Sequence, residues 1–332
     1  MKAVEEVLPV NDGDAPSLAV ILVTPDTYET VRETVEALRR QTIRAQVEVI
    51  IVGPANGVSS LDPAAADDFW RLHAVELAAI ESRGAAYAAG IRAASAPVVA
   101  LGEDHSFPAP GWAEALLAAH RGPWAAVGPA VANANPESLI AWADYLINYG
   151  PWRAPARSGV VEHLPGHNSS YKRALLLAYG PDLDWLLEAE SVLHWDLRAN
   201  GHQLYLAGEA TTAHLNFGRS STWMTVAFYN GRLFAATRAQ NWSRPRRWLY
   251  AGGSPLIPFI RFARIARSVR QPPGAPLRAL PLVFFGLAVD GLGQGLGYAA
   301  GAGDTSPKLA RLEFHRVRHL GKRRGRGAPE RR

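Results

Sequence analysis

The chain has no cysteine among its 332 residues. That excludes disulfides and any thiolate metal site, and it suits a reducing compartment. The first residues, Met1 to Asp14, carry Glu5, Glu6, Asp12 and Asp14 and lack the basic start and apolar run of a secretory signal. The main body is therefore expected in the cytoplasm. No glycine-rich loop follows the first apolar run, where Thr24-Pro25-Asp26 stands instead, which weakens a nucleotidyltransferase reading. Zinc-finger, RNP and recognition-helix patterns are also missing, so no nucleic-acid partner is expected. No internal repeat is present.

What is present is ample apolar material. Hydrophobic residues make up 48% of the sequence, enough for one large domain or a domain with an appendage. The net charge of +5 is concentrated near the end, in Lys322-Arg323-Arg324-Gly325-Arg326 and Arg331-Arg332, with Glu330 opposing it. Such a tail is either a solvated arm or a binder of anionic lipid.

Strand and helix patterns alternate through the first ~100 residues, the mark of parallel pairing with right-handed crossovers. Ser17 to Val23 reads as a buried strand, and Tyr28 to Gln41 as a helix with Val31, Val35 and Leu38 on one face. Val47 to Val52 is a second strand, ended by Gly53-Pro54. A helix is expected over Asp67 to Ala74, a strand over Val75 to Ile80, a helix over Gly84 to Ala94 and a strand over Pro97 to Leu101. Further on, Trp112 to His120 reads as a helix, Trp124 to Val131 as a strand and Pro136 to Tyr149 as a helix. Leu187 to Asn200 is a helix closed by Gly201. A short strand near Gln203 to Leu206 and the segment Thr211 to His214 follow.

From about Asn216 the character changes. Leu256 to Arg270 places Arg261, Arg264, Arg267 and Arg270 at spacing three against an apolar side, which suits a helix in a membrane interface or a surface helix packed on the protein. Leu280 to Ala302 is apolar and glycine-rich but is broken by Pro281, Asp290 and Gln294. A membrane span needs ~20 mostly apolar residues, and this segment reads instead as a hairpin resting on or dipping into a membrane.

Glu103-Asp104-His105 ends the apolar run Pro97 to Leu101 and precedes the turn Pro108-Ala109-Pro110-Gly111-Trp112. Ligands gather at the carboxyl ends of strands in α/β proteins. Two carboxylates beside an imidazole can hold a divalent cation that clamps a diphosphate, or form a solvated acidic turn.

The order of these features resembles the family 2 glycosyltransferases of membrane-associated bacterial type, from about Ser17 to Phe217. The resemblance is carried by Ser17 to Pro25, Leu38 to Thr42, Val47 to Val52, Arg83 to Gly90, Glu103 to Trp112, Gly166 to Arg173 and the acidic helix ending at Gly201. It implies an α/β fold of GT-A type: a mixed, mostly parallel sheet flanked by helices, with a C-terminal helical extension. It divides the chain into a lead (1–16), the glycosyltransferase domain (17–220), a helical, membrane-associated extension (221–310) and a basic tail (311–332).

The family pattern at the acidic turn is Asp-x-Asp. It aligns Glu103 and His105 with the metal ligands and implies Mn2+ or Mg2+, with Asp104 as a donor contact and His214 as a further ligand. Counting back from Gly201 puts Glu190 at the position of the catalytic base, with Glu188 as the fallback. Thr24, Pro25, Asp26, Asn56, Arg83, His167 and Asn168 are then the substrate-binding candidates. The chain departs from the family at the end of the second strand, where Gly53-Pro54-Ala55-Asn56 lacks the usual aspartate. The glutamine of the processive Gln-x-x-Arg-Trp signature is absent too, which points to transfer of a single sugar.

The resemblance thus implies an inverting, metal-dependent transfer from a UDP- or GDP-linked sugar to a glycan or lipid acceptor of the cell envelope. The enzyme would be peripheral or monotopic at the inner face of the plasma membrane. The alternative is a degenerate, non-catalytic relative that binds a sugar nucleotide or a glycan-assembly partner.

Overall fold

The structure is a computed structural model that describes residues 15–58, 68–80, 82–269, 275–314 and 316–320. The lead over 1–14, Arg270 and the tail cluster Lys322 to Arg332 lie outside the described residues.

In chain order the first elements are β1 (Leu18–Val23), α1 (Arg32–Arg39), β2 (Val47–Pro54), β3 (Arg71–Leu77), α2 (Arg83–Ala93) and β4 (Val98–Leu101). They continue with β5 (Ser106–Pro108), α3 (Trp112–His120), β6 (Ala126–Asn133), α4 (Leu139–Tyr149), β7 (Gly159–Val161) and β8 (Ser170–Lys172). The rest are α5 (Glu190–Ala199), β9 (Leu204–His214), α6 (Ser220–Arg238), α7 (Arg244–Gly253), α8 (Ile257–Val269), α9 (Leu280–Ala300) and α10 (Thr305–Glu313).

The nine strands form one sheet in the order β3-β2-β1-β4-β8-β6-β9-β5, with β7 pairing on β9. Its long ladders, β1 with β2, β2 with β3 and β6 with β9, are parallel. The antiparallel ladders made by β5, β7 and β8 are two or three residues long. A parallel sheet must be covered on both faces, so its central strand is apolar throughout. In β1, Ala19, Ile21 and Val23 enter one core and Leu18, Val20 and Leu22 the other. Each of these larger side chains contributes about 1.5–3 kcal/mol by burial. Changing Ile21 to aspartate would remove one such contribution and leave a charge without water.

The helix expected over Asp67 to Ala74 is not formed from Arg71 on, where β3 begins; Asp67 lies outside the described residues. Arg71 to Leu77 pairs in parallel with Glu48 to Pro54, and Leu72 and Val75 alternate between the two cores. That period-2 pattern is the mark of a strand. The short strand near Gln203 and the segment Thr211 to His214 are one strand, β9, with a register shift opposite Pro129/Ala130.

The expected hairpin over Leu280 to Ala302 is the single helix α9. Its glycines are packing surfaces: a Cβ at Gly293 would lie 2.1 Å from the Phe228 carbonyl oxygen, and one at Gly297 would lie 2.3 Å from that of Arg232. The α6 and α9 backbones therefore meet with no side chain between them. The acid that interrupts the apolar run is also satisfied, because Asp290 accepts from Arg261 Nη1 and Gln294 Nε2, each at 2.8 Å. Helix α8 runs over the expected stretch and is held to α9 by that Arg261 pair.

The residues just past 310 are folded. After α10 the chain makes a helical turn, Arg316–His319. The His319 carbonyl accepts from the amides of Gly218 and Arg219, both at 3.1 Å.

Candidate functional site

Strand β4 ends at Leu101, and the next residues carry Glu103 and His105 into the interior, where they are 7% and 3% exposed. Pairing of β5 with β9 sets Ser106 opposite His214, which is 2% exposed. One ligand atom from each of Glu103, His105 and His214 can be chosen so that all lie within 4.8 Å of one another. His105 Nε2 lies 3.6 Å from Glu103 Oε1, and His214 Nε2 lies 3.4 Å from Glu103 Oε2.

Each of these three side chains is oriented by a second one. Asn168, held at φ 72° in the left-handed region, donates its Nδ2 to Glu103 Oε2 at 2.9 Å. Asp104 Oδ1 lies 2.5 Å from His105 Nδ1, so that nitrogen carries a proton and donates it. Asn216 Nδ2 donates to the Asn133 side chain and the His214 carbonyl, which leaves Asn216 Oδ1 to accept from His214 Nδ1 at 3.0 Å. Both imidazoles thus present Nε2 to Glu103, and neither Nε2 has a hydrogen-bond partner. Buried polar atoms are rarely left so, and three oriented donors around one point fit a divalent cation.

Burial drives the His214 pKa down to about 4, which keeps its ring neutral and able to ligate. Burial alone would push Glu103 up. The imidazoles of His105 and His167 outweigh it and hold the carboxyl well below the usual range.

Glu190 opens helix α5, counted back from Gly201, whose φ of 86° ends that helix. Its Oε1 lies 2.9 Å from His167 Nδ1. The His167 ring stacks on Tyr87 at 5.5 Å, and its Nε2 lies 3.4 Å from Arg83 Nη1. Burial opposes the charge on both members of the pair. Their mutual attraction wins, lowering Glu190 and raising His167. Gly166 makes room for this carboxylate, since a Cβ there would sit 2.7 Å from Glu190 Oε2.

One cavity of about 170 Å³ is lined by Glu103, His214, Glu190, His167 and Arg83 together. Glu188 is absent from its lining. Glu188 instead accepts from Ser82 Oγ and the Gly84 amide at the start of α2, and from Ser306 Oγ of α10 at 2.9 Å. It borders a second cavity, of about 550 Å³, with Trp185, Gln240 and Arg247.

The other sequence candidates form a wall at the ends of β1 and β2. Thr24 Oγ1 donates to the Thr27 carbonyl, and Asp26 Oδ1 accepts from the Thr27 amide and Thr30 Oγ1. Pro25 lies between them. Asn56 lies in the helical turn Ala55–Val58. A Cβ on Gly57 would overlap the Asp26 carbonyl at 1.3 Å, so the two loops touch there.

Sequence reasoning missed Asp144, Asn148, Tyr149, Phe217, Glu313 and Arg316, which line the same cavity. Asp144 accepts from the Phe217 amide at 3.0 Å. Burial raises its pKa to about 6, opposed by Arg316.

Residues 19–180 match the family model described as Glycosyl transferase family 2. The N-terminal half of this chain is a family 2 glycosyltransferase domain. No curated protein matches the chain in sequence. Among solved structures it is similar to the mannosyltransferase PcManGT from Pyrobaculum calidifontis in complex with GDP-Man and Mn2+, at 16% identity and TM-score 0.48, over 90% of this chain and 86% of that one. It is also similar to S. aureus TarS 1–349 in complex with UDP, at 13% and 0.42, over 85% and 90%. GalNAc-T7 with UDP, GalNAc and Mn2+ matches at 13% and 0.46, over 61% of this chain but 44% of that one. The glycosyltransferase domain supplies Glu103, His105, Arg83 and His167. Glu190, His214, Glu313 and Arg316 come from beyond the matched region.

Proposed function

We propose that the protein moves one sugar, with inversion, from a nucleotide-diphosphate sugar to an envelope glycan or lipid acceptor at the cytoplasmic face of the membrane. The observation that carries the reading is one cavity bordered both by Glu103 and His214, two of the three donors of the candidate cation site, and by a buried carboxylate, Glu190, paired with an imidazole.

A cation held by Glu103, His105 and His214 would neutralise the departing diphosphate. A donor set of two imidazoles and one carboxylate suits Mn2+ better than Mg2+, which prefers oxygen. Glu190 accepts the acceptor's proton as its oxygen attacks the anomeric carbon from the face opposite the leaving group. His167 keeps Glu190 ionised before the attack. The loops at Thr24 to Asp26 and Ala55 to Val58 border the end of the sheet where a nucleotide would lie.

The membrane reading rests on the C-terminal helices. Between Glu209 and Asp290 the sequence has eleven arginines and neither aspartate nor glutamate. Trp248, Leu249 and Phe259 there are 65%, 72% and 61% exposed, and Leu292, just past Asp290, is 68% exposed. Exposed apolar side chains among arginines suit an anionic bilayer surface. The helix Leu277–Ala300 is long and apolar enough to span, but 44% of its most apolar window is buried against the protein, which favours a resting rather than a crossing placement.

The test is sugar transfer from UDP- and GDP-sugars with Mn2+, comparing wild type with Glu190→Gln and His105→Ala. Loss of turnover in both variants, with donor binding retained by Glu190→Gln, is expected. Full activity in either removes that residue from the mechanism. Donor binding without turnover by the wild type, over a broad acceptor panel, would favour the non-catalytic alternative.

A further inference from the structure

The cavity contains a cation from the far end of the chain. Arg316 is 4% exposed and lies in the turn that follows α10. Several contacts fix it. Its guanidinium carbon stands 3.6 Å from the centre of the Phe217 ring. Nη1 donates to the Leu215 carbonyl at 3.4 Å and lies 3.7 Å from Asp144 Oδ2, while Nη2 pairs with Glu313. Leu215 directly follows the metal-site histidine His214, and its amide donates to the His105 carbonyl at 3.0 Å. Arg316 is thereby hung on the segment that carries the cation site.

Nε of Arg316 is buried and has no hydrogen-bond partner. A guanidinium placed only for packing would have its donors met by the surrounding protein. Here one donor is left over in the cavity that also holds the unpartnered Nε2 of His214. The other charges in the lining are uneven, with the carboxylates Glu103, Asp144, Glu190 and Glu313 set against Arg83 and His167. Without Arg316 these groups, even with a divalent cation bound, would offer a diphosphate no surplus of positive charge.

We propose that Arg316 binds the diphosphate of the donor and of the departing nucleotide, so that the helical turn Arg316–His319 is part of the donor site. This rests on reading the cavity as the donor site. The planar fork of arginine matches phosphate oxygens, and hydrogen bonds to charged groups are the strong ones. Arg316 acts by contact and charge and takes no proton.

The experiment measures, by calorimetry on the full chain with Mn2+, the affinities of UDP and GDP and of UMP and GMP. The variants are Arg316→Lys, Arg316→Ala and the double variant Glu313→Gln/Arg316→Gln, which removes both charges of the buried pair together. The readout is the ratio of diphosphate to monophosphate affinity, which a purely structural defect would leave unchanged. Arg316→Ala and the double variant should lower that ratio by about 10- to 100-fold, with Arg316→Lys in between. Wild-type ratios in both the alanine and the double variant overturn the assignment of Arg316 alone. Failure of the wild type to bind either diphosphate overturns the donor-site reading and this inference with it.

Discussion

Asp104→Asn tests the cation site through a residue that is not a ligand. Asp104 Oδ1 lies 2.5 Å from His105 Nδ1, and its charge makes this the stronger kind of hydrogen bond. The bond has a second effect. By keeping the proton on Nδ1, it leaves the Nε2 lone pair facing Glu103, 3.6 Å away. Asparagine can offer its amide nitrogen to Nδ1 and allow the proton to move to Nε2, where it would point at the Glu103 carboxylate and close the ligand position. Losing an orienting partner of this kind costs about 10- to 100-fold in metal affinity, or about 1.4–2.7 kcal/mol. Titration of Mn2+ by calorimetry, with electron paramagnetic resonance as a second reading, measures it directly. Asp26→Asn, in the loop wall away from the three donors, is the control and should leave the affinity unchanged. The same titration should find Mn2+ bound more tightly than Mg2+. Wild-type Mn2+ affinity in Asp104→Asn, with affinity lost in His214→Ala, would refute the orienting argument while keeping the site. Wild-type affinity in both would refute the site.

Other outcomes follow from distances and burial. Gly166→Ala places a Cβ 2.7 Å from Glu190 Oε2, so turnover should fall at least ~10-fold by misplacing the base while Mn2+ affinity stays at the wild-type value. Gly293→Ala sets a Cβ 2.1 Å from the Phe228 carbonyl oxygen, and denaturant melts should show a loss of about 1–3 kcal/mol from overpacking. Burial lowers His120 to about 3 and His194 to about 4, so below pH 6.5 the unfolded chain binds protons that the folded chain refuses. Stability should then fall with pH from 6.5 down toward 4, by about 1.4 kcal/mol per unit for each histidine; an equal stability at pH 7 and pH 5.5 would contradict this. The triple variant Trp248→Ser/Phe259→Ser/Leu292→Ser changes only exposed side chains and should lose co-sedimentation with anionic vesicles without a change in melting temperature. Wild type left in the supernatant by such vesicles removes the membrane placement.

The sheet was legible wherever a strand is buried on both faces. Leu18 to Val23 and Val98 to Leu101 are apolar at every position, and Val47 to Val52 at every position but Glu48, because both faces of these strands are covered. β3 was harder to read because it is an edge strand whose outward residues, Arg71 and Glu76, are polar and whose lead-in is alanine-rich. Spacing within one element carried far: Glu190 could be found by counting from a glycine, because a helix end at positive φ fixes the distance. The cation site was legible only as types of residue. That His105 and His214 face the same carboxylate depends on Ser106 pairing with His214 across a separation of more than a hundred positions, which no local pattern encodes. The C-terminal misreadings share one physical origin. The glycines and the acid that break the apolar run over Leu280 to Ala302 are each a response to a neighbour, Gly293 to the α6 backbone and Asp290 to Arg261, and Arg316 answers to Glu313 and Asp144 in the same way. A polar residue inside an apolar run, or a basic one near an end, therefore reports an unseen partner as readily as it reports solvent or lipid.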